Sequence, residues 1–123
     1  MQSPTILIAN SDPARVALIA RGLSPHSSKL VTATSGETLR NAVLKHRAEV
    51  VIADLETVSL DDVRRLRNEL AGVSVVCTHR VPDEQMWAAA LEAGADDCCC
   101  TADVDDVVRA AFHRPYKVRS QAA

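Results

Sequence analysis

A doubly wound α/β fold is the class this sequence predicts, and three observations predict it. Short apolar runs rich in β-branched residues alternate five times with amphipathic helical segments. Short loops join them, with no internal repeat or low-complexity stretch, as in a parallel sheet with right-handed crossovers. The third run, Glu49 to Asp54 (E-V-V-I-A-D), is apolar throughout until one terminal carboxylate, which suits a strand buried on both faces beneath helices.

Taken in order, Pro4 to Ala9 (P-T-I-L-I-A) forms the first strand and stops at Asn10-Ser11-Asp12. Asp12 caps a helix with Pro13 at its first position, where a missing N–H does no harm. Val16, Leu18, Ile19 and Leu23 supply its apolar stripe, and Gly22 with Ser24-Pro25 marks its end. Lys29 to Thr34 is the second strand. Ser35 caps the next helix, with Leu39, Ala42, Val43 and Leu44 at helical spacing until His46-Arg47. After the third strand, Ser59 and Asp62 stand at capping-box spacing before Val63, Leu66 and Leu70, with Gly72 past the end. Val73 to Thr78 is the fourth strand, and Pro82-Asp83 opens a helix through Met86, Trp87, Ala90 and Leu91 that Gly94 closes. Asp97 to Cys100 is the fifth strand. Asp103 and Asp106 start the last helix, which runs through Val107, Val108, Ala111 and Phe112 to a stop at Pro115.

The 123 residues, 47% apolar and 24% charged with a formal net charge of −2, fit one domain able to close a core without staples. Residues 1-113 form that domain and 114-123 a basic tail or linker carrying Arg114, Lys117 and Arg119 and no acid. The balanced charge argues against a dedicated nucleic-acid or membrane surface. Trp87, Phe112 and Tyr116 are the only aromatics, too few for a base-stacking platform. No apolar run is long enough to span a bilayer and no signal-peptide profile is present, so a cytoplasmic protein is expected. Cys77 and the run Cys98-Cys99-Cys100 read as small apolar filler in buried strands, since neighbours on a strand point to opposite faces and cannot converge on one ion.

In a parallel sheet the working site lies beyond the carboxyl ends of the strands. Those ends read Asn10-Ser11-Asp12, Asp54-Leu55-Glu56, Thr78-His79-Arg80 and Thr101, and polar residues converge nowhere else.

Four stretches in this order, I-L-I-A-N-S-D-P-A-R, V-V-I-A-D-L-E, V-S-V-V-C-T-H and A-G-A-D-D-C-C-C-T-A, resemble the receiver domain of two-component response regulators over roughly residues 4 to 113. The resemblance implies a flavodoxin-like (βα)5 fold of strand order 2-1-3-4-5. It implies phosphoryl transfer from a phosphohistidine to the carboxylate ending the third strand, here Asp54. In the family a magnesium ion is held by an acidic pair after the first strand, by the phosphoacceptor and by the backbone carbonyl two residues on, here Glu56. A hydroxyl after the fourth strand, here Thr78, and a lysine after the fifth bind phosphoryl oxygens.

This sequence departs from that pattern where charge matters. The acidic pair falls on Asn10 and Ser11, the lysine on Thr101 and the proline after it on Ala102; Cys98 holds the aromatic switch position. Magnesium prefers carboxylate oxygens, and phosphoryl transfer depends on neutralising negative charge. Slow or absent magnesium-dependent phosphorylation is therefore expected, with a weakened metal site on Asp54 and Glu56 or none. Asp12 has two roles open to it, a rescuing metal ligand or a plain helix cap. Glu56 has two as well, a side-chain ligand or a surface partner of Arg80, and His79 either faces Asp54 or is a solvated loop residue.

The chain is thus expected to be an atypical, degenerate receiver acting as a protein-interaction module rather than an enzyme. Its implied partners are a sensor histidine kinase or an output protein, with homodimerisation through residues 86-112 and Trp87 as an anchor where it is exposed. The alternative is a working phosphoacceptor at Asp54. A nucleotide-binding protein is disfavoured because N-S-D-P, not a glycine-rich loop, follows the first strand, and no histidine is placed to activate the cysteines.

Overall fold

The computed structural model describes residues 4–27 and 29–112. Five strands, β1 (Thr5–Ala9), β2 (Lys29–Ala33), β3 (Val50–Asp54), β4 (Ser74–His79) and β5 (Asp97–Cys100), alternate with five helices, α1 (Pro13–Leu23), α2 (Leu39–His46), α3 (Leu60–Glu69), α4 (Glu84–Glu92) and α5 (Val104–Phe112). All strand pairs are parallel and the order is β2-β1-β3-β4-β5, as the resemblance implies. The basic tail 114-123 and the stop at Pro115 lie outside the described residues. Among those residues no helix is long and apolar enough to cross a membrane.

The period-2 alternation of the strands builds two cores. On one face Ile6, Ile8, Val50, Ile52, Val76 and Cys99 pack under α1 and α5. On the other, Leu7, Val51, Val75, Cys77 and Cys98 pack under α2, α3 and α4 through Val43, Val63, Leu66 and Ala90. Every residue of β3 is buried, as its unbroken apolar run predicts for the central strand. With so few aromatics, β-branched residues and alanines fill both layers.

The helix starts follow their capping residues closely. Asp12 accepts the Ala14 N–H at 3.0 Å with Pro13 opening α1. At α3 the full reciprocal box forms: Ser59 Oγ accepts the Asp62 N–H and Asp62 Oδ2 accepts the Ser59 N–H, each at 3.0 Å. Asp83 and Asp103 accept the N–H three residues on.

Two expectations are corrected. Ser35 does not cap α2. It opens a turn in which Thr38 Oγ1 donates to its carbonyl at 3.1 Å, and α2 begins only at Leu39. The turn is seated on α3, because a Cβ on Gly36 would lie 2.2 Å from Asp62 Oδ2. Leu18 and Leu44 leave the core, at 53% and 47% exposure. Each stands about a hundred degrees of helix rotation from the stripe actually used, Val16-Ile19-Leu23 in α1 and Leu39-Val43 in α2. Trp87 on α4 is 47% exposed, beside Val81 in the preceding loop at 72%.

The A-G-A-D-D run before β5 has a structural job at the far end of the sheet from the polar strand ends. Gly94 takes φ +112 and lies under Arg67, whose guanidinium donates to the Val73 carbonyl and pairs with Asp96 at 3.7 Å. Asp96 in turn accepts the Val75 N–H at 2.9 Å, joining α3, β4 and β5. Gly94→Ala should therefore lower stability by about 1–2 kcal/mol, since an L side chain disfavours this backbone region and its Cβ would meet Arg67. Urea unfolding of the variant checks this.

Candidate functional site

Register puts the candidate residues side by side. Asp54 ends β3 directly opposite Thr78 of β4, and Ala9 of β1 pairs Ala53, so Asn10 stands next to Asp54 on the other flank. Alternation places Asn10, Asp54 and Thr78 on the face of Ile8, Ile52 and Val76. All three are buried, Asp54 at 5% exposure and Asn10 at 3%, and Thr101 just past β5 is buried with them.

Asp54 is an anion surrounded by neutral donors. Its Oδ1 accepts the Thr78 hydroxyl at 3.0 Å and the Thr101 hydroxyl at 3.4 Å; its Oδ2 accepts the Glu56 N–H at 3.3 Å. Its backbone carbonyl accepts the N–H groups of Thr57 and Val58, which coils the loop back over the strand end. Each such hydrogen bond to the carboxylate contributes roughly 1.5–3 kcal/mol, and together they offset much of the desolvation of a buried carboxylate that has no cation beside it among the described residues.

The acidic-pair positions behave differently from each other. Ser11 is exposed and clasps the β3–α3 loop, its N–H donating to Thr57 Oγ1 at 3.0 Å while that hydroxyl donates to Ser11 Oγ at 3.2 Å. Asn10 Oδ1 accepts the Asp12 N–H at 2.9 Å, and Asn10 Nδ2 has no hydrogen-bond partner, the one such buried side-chain atom among the described residues. Asp12 itself caps α1 and pairs with Arg15 at 3.5 Å. Glu56 pairs with Arg80 at 2.8 Å. His79 Nδ1 accepts the Val81 N–H at 3.1 Å and shapes the β4–α4 loop.

A divalent metal of the kind the resemblance implies does not fit these side chains. Magnesium seeks an octahedron of hard oxygens, usually keeping several waters and taking one or two carboxylates that are free to bind it. Here the Asp54 oxygens already accept three hydrogen bonds, the Glu56 carboxylate is drawn to a guanidinium, and Asn10 keeps an N–H donor inside. Among the described residues no group of three His, Cys, Asp or Glu side chains could hold an ion. An open cleft of about 260 Å³ lies on the α1 side of Asn10, lined by Val16, Ala17, Thr32 and Thr34.

Two participants escape a reading of the sequence. Thr57 reaches Ser11 across 46 residues, and no local pattern marks it. Thr101 is more than a missing lysine: its hydroxyl faces Asp54, which follows only once β5 is placed beside β4. The cysteines are free thiols, Cys77, Cys98 and Cys99 buried and Cys100 half-buried. Burial, with Asp97 adding its negative charge, pushes the Cys98 thiol up to about 11, and burial raises Cys77 and Cys99 further. Thiolate is the reactive form. Iodoacetamide at pH 8 is therefore expected to label Cys100 alone in the native protein and all four cysteines in urea, read by intact mass.

A parallel five-stranded doubly wound domain with a polar site at the carboxyl edge of its sheet is thus the class defined by fold and site. Within it, the fold is that of response-regulator receiver domains. The signal receiver domain of NarL from Mycobacterium tuberculosis superposes with a TM-score of 0.81 at 15% identity, covering 93% of this chain and 100% of that one. A response regulator from Burkholderia pseudomallei, solved with a phosphorylated aspartic acid and a calcium ion, gives 0.79 at 16% identity over 98% of this chain and 74% of that one. The receiver domain of RcsB from Salmonella enterica serovar Typhimurium, solved in the presence of the phosphomimetic BeF3−, gives 0.76 at 14% identity over 88% and 87%. No protein-family model and no curated protein matches the sequence.

Proposed function

We propose that this chain is a receiver-type module of two-component signalling that acts mainly by protein–protein contact, its magnesium-dependent phosphorylation at Asp54 impaired or absent. The observation that carries this reading is the setting of Asp54: a buried carboxylate held by Thr78, Thr101 and a backbone N–H, with Asn10 and Ser11 where two acids would gather a metal. A phosphoryl group arriving there meets neither a divalent cation nor a lysine. Stabilising donors of this kind are worth about 3–4 kcal/mol each in a transition state, so their joint loss slows transfer by several orders of magnitude. Titration with magnesium, followed by amide NMR at Asp54 and Thr78, is expected to give no shifts below the millimolar range. A tighter midpoint sinks the reading.

The partner is a sensor histidine kinase or an output protein, and a second copy could meet residues 86-112. Trp87 and Val81, both exposed beside the start of α4, support contact there. Trp87→Ala is expected to weaken any self-association about tenfold, measured by sedimentation equilibrium, because aromatic anchors carry a disproportionate share of interface energy. The second reading, a working phosphoacceptor, is favoured by the Thr78 hydroxyl 3.0 Å from Asp54 Oδ1 and by the phosphorylated aspartic acid of the Burkholderia relative.

A further inference from the structure

Four thiols stand on two neighbouring strands, and register sorts them. Cys77 of β4 is the pairing partner of Cys98 on β5, and both belong to the apolar layer under α2, α3 and α4. Cys99 turns to the opposite layer, under α1 and α5, as period-2 alternation requires. Cys100 is half-buried at the end of β5, its Sγ donating to the Arg80 carbonyl at 3.4 Å. Register partners on adjacent strands sit about 4.8 Å apart, inside the roughly 4.4–6.8 Å between Cα atoms that disulfides span. Their Cβ atoms, one strand spacing apart on the same face, need close by only about half an ångström to enter the disulfide range of about 3.5–4.5 Å. β5 has that freedom, because it is a four-residue edge strand paired with β4 alone.

We propose that Cys77 and Cys98 are a redox pair, which hydrogen peroxide joins into a disulfide across β4 and β5. The Cys98 thiolate attacks one peroxide oxygen, the O–O bond breaks and hydroxide leaves, giving a sulfenic acid. The Cys77 sulfur then attacks the Cys98 sulfur, whose S–O bond breaks. Together the two thiols give up two electrons and two protons, and the peroxide leaves as two waters. Cys98 is the sulfur that meets peroxide first, since it stands on the edge strand at 7% exposure against 0% for Cys77. Only thiolate attacks, so below the raised value of the Cys98 thiol the initial rate climbs about tenfold for each pH unit. The bond closes a loop that contains all of α4 with the exposed Trp87 and Val81. Oxidation therefore tethers both ends of the segment that presents that surface. The inference is independent of the reading above, since it needs neither Asp54 nor a metal.

The whole chain is treated with hydrogen peroxide, remaining thiols are blocked with iodoacetamide in urea, and the unreduced tryptic map is read by mass spectrometry. Cleavage after Arg67, Arg80 and Arg109 puts Cys77 on one peptide and the three cysteines of β5 on another, so only a bond between the strands joins the two. A joined pair, lighter by two hydrogens than its separate peptides and released by dithiothreitol, is expected in the wild-type chain. It should persist in Cys99→Ala and Cys100→Ala and vanish in Cys98→Ala. Fragmentation of the wild-type pair locates the bond at Cys98 directly, so the result does not hang on the folding of any variant. A bond confined to the β5 peptide, a dimer linked through Cys100, or Cys77 still reduced once Cys98 is oxidised overturns the inference.

Discussion

The triple variant Asn10→Asp, Ser11→Asp, Thr101→Lys should bind magnesium and accept phosphate at Asp54 at least about a hundredfold faster in magnesium than the wild-type chain does. The geometry is already close. Asn10 sits at the end of β1 beside Asp54, and an aspartate there keeps the hydrogen bond from the Asp12 N–H with one oxygen while turning the other toward the site. Thr101 lies within 3.4 Å of Asp54 Oδ1, so a lysine from the same backbone position has length to spare. Without metal, the new carboxylate at the buried position 10 crowds Asp54, and like charges buried together are costly. The variant should consequently melt lower than wild type in EDTA and recover when magnesium is added. Thermal scans and acetyl phosphate labelling, each with and without magnesium, check both halves. A variant that still ignores magnesium would show that the loop after β3, not the missing acids, sets the limit.

How much of this could be read before folding differs by element. The five strands and most of the caps follow from local chemistry: alternating apolar runs, Asp12-Pro13, Ser59 with Asp62, and Asp83 all act within three residues of themselves, whereas the strand order was legible only through the resemblance to receiver domains. Leu18 and Leu44 were harder because a stripe of apolar residues on a short helix admits two faces. The choice between them is made by which sheet residues lie beneath, a tertiary fact. The α2 start was displaced for the same reason, Gly36 being held against Asp62 of another helix. At the site, residue identity revealed what was missing, two acids and a lysine. It could not reveal what stands in their place. The Thr101 hydroxyl on Asp54 and the Thr57–Ser11 clasp each join residues more than forty apart in sequence, and the spare amide of Asn10 is seen only once its surroundings are built.

Replacing Asp54 should separate two ideas of what that side chain is for. In a site crowded by acids, removing one carboxylate relieves repulsion and raises stability. Here no carboxylate of an acidic pair stands beside it, and three donors depend on it. Asp54→Ala should therefore destabilise the fold by at least about 3 kcal/mol, because two buried hydroxyls and an N–H lose their acceptor at roughly 1–3 kcal/mol for each group left unpaired. Asp54→Asn keeps an acceptor oxygen for Thr78 and Thr101 and removes a buried charge, so its stability should match or exceed that of wild type. Urea unfolding of the pair decides the matter: if Asp54→Ala is as stable as Asp54→Asn, the hydroxyls do not rely on this carboxylate. The predicted order, Asn at or above Asp and both well above Ala, is the signature of an anion held by neutral donors rather than by a metal.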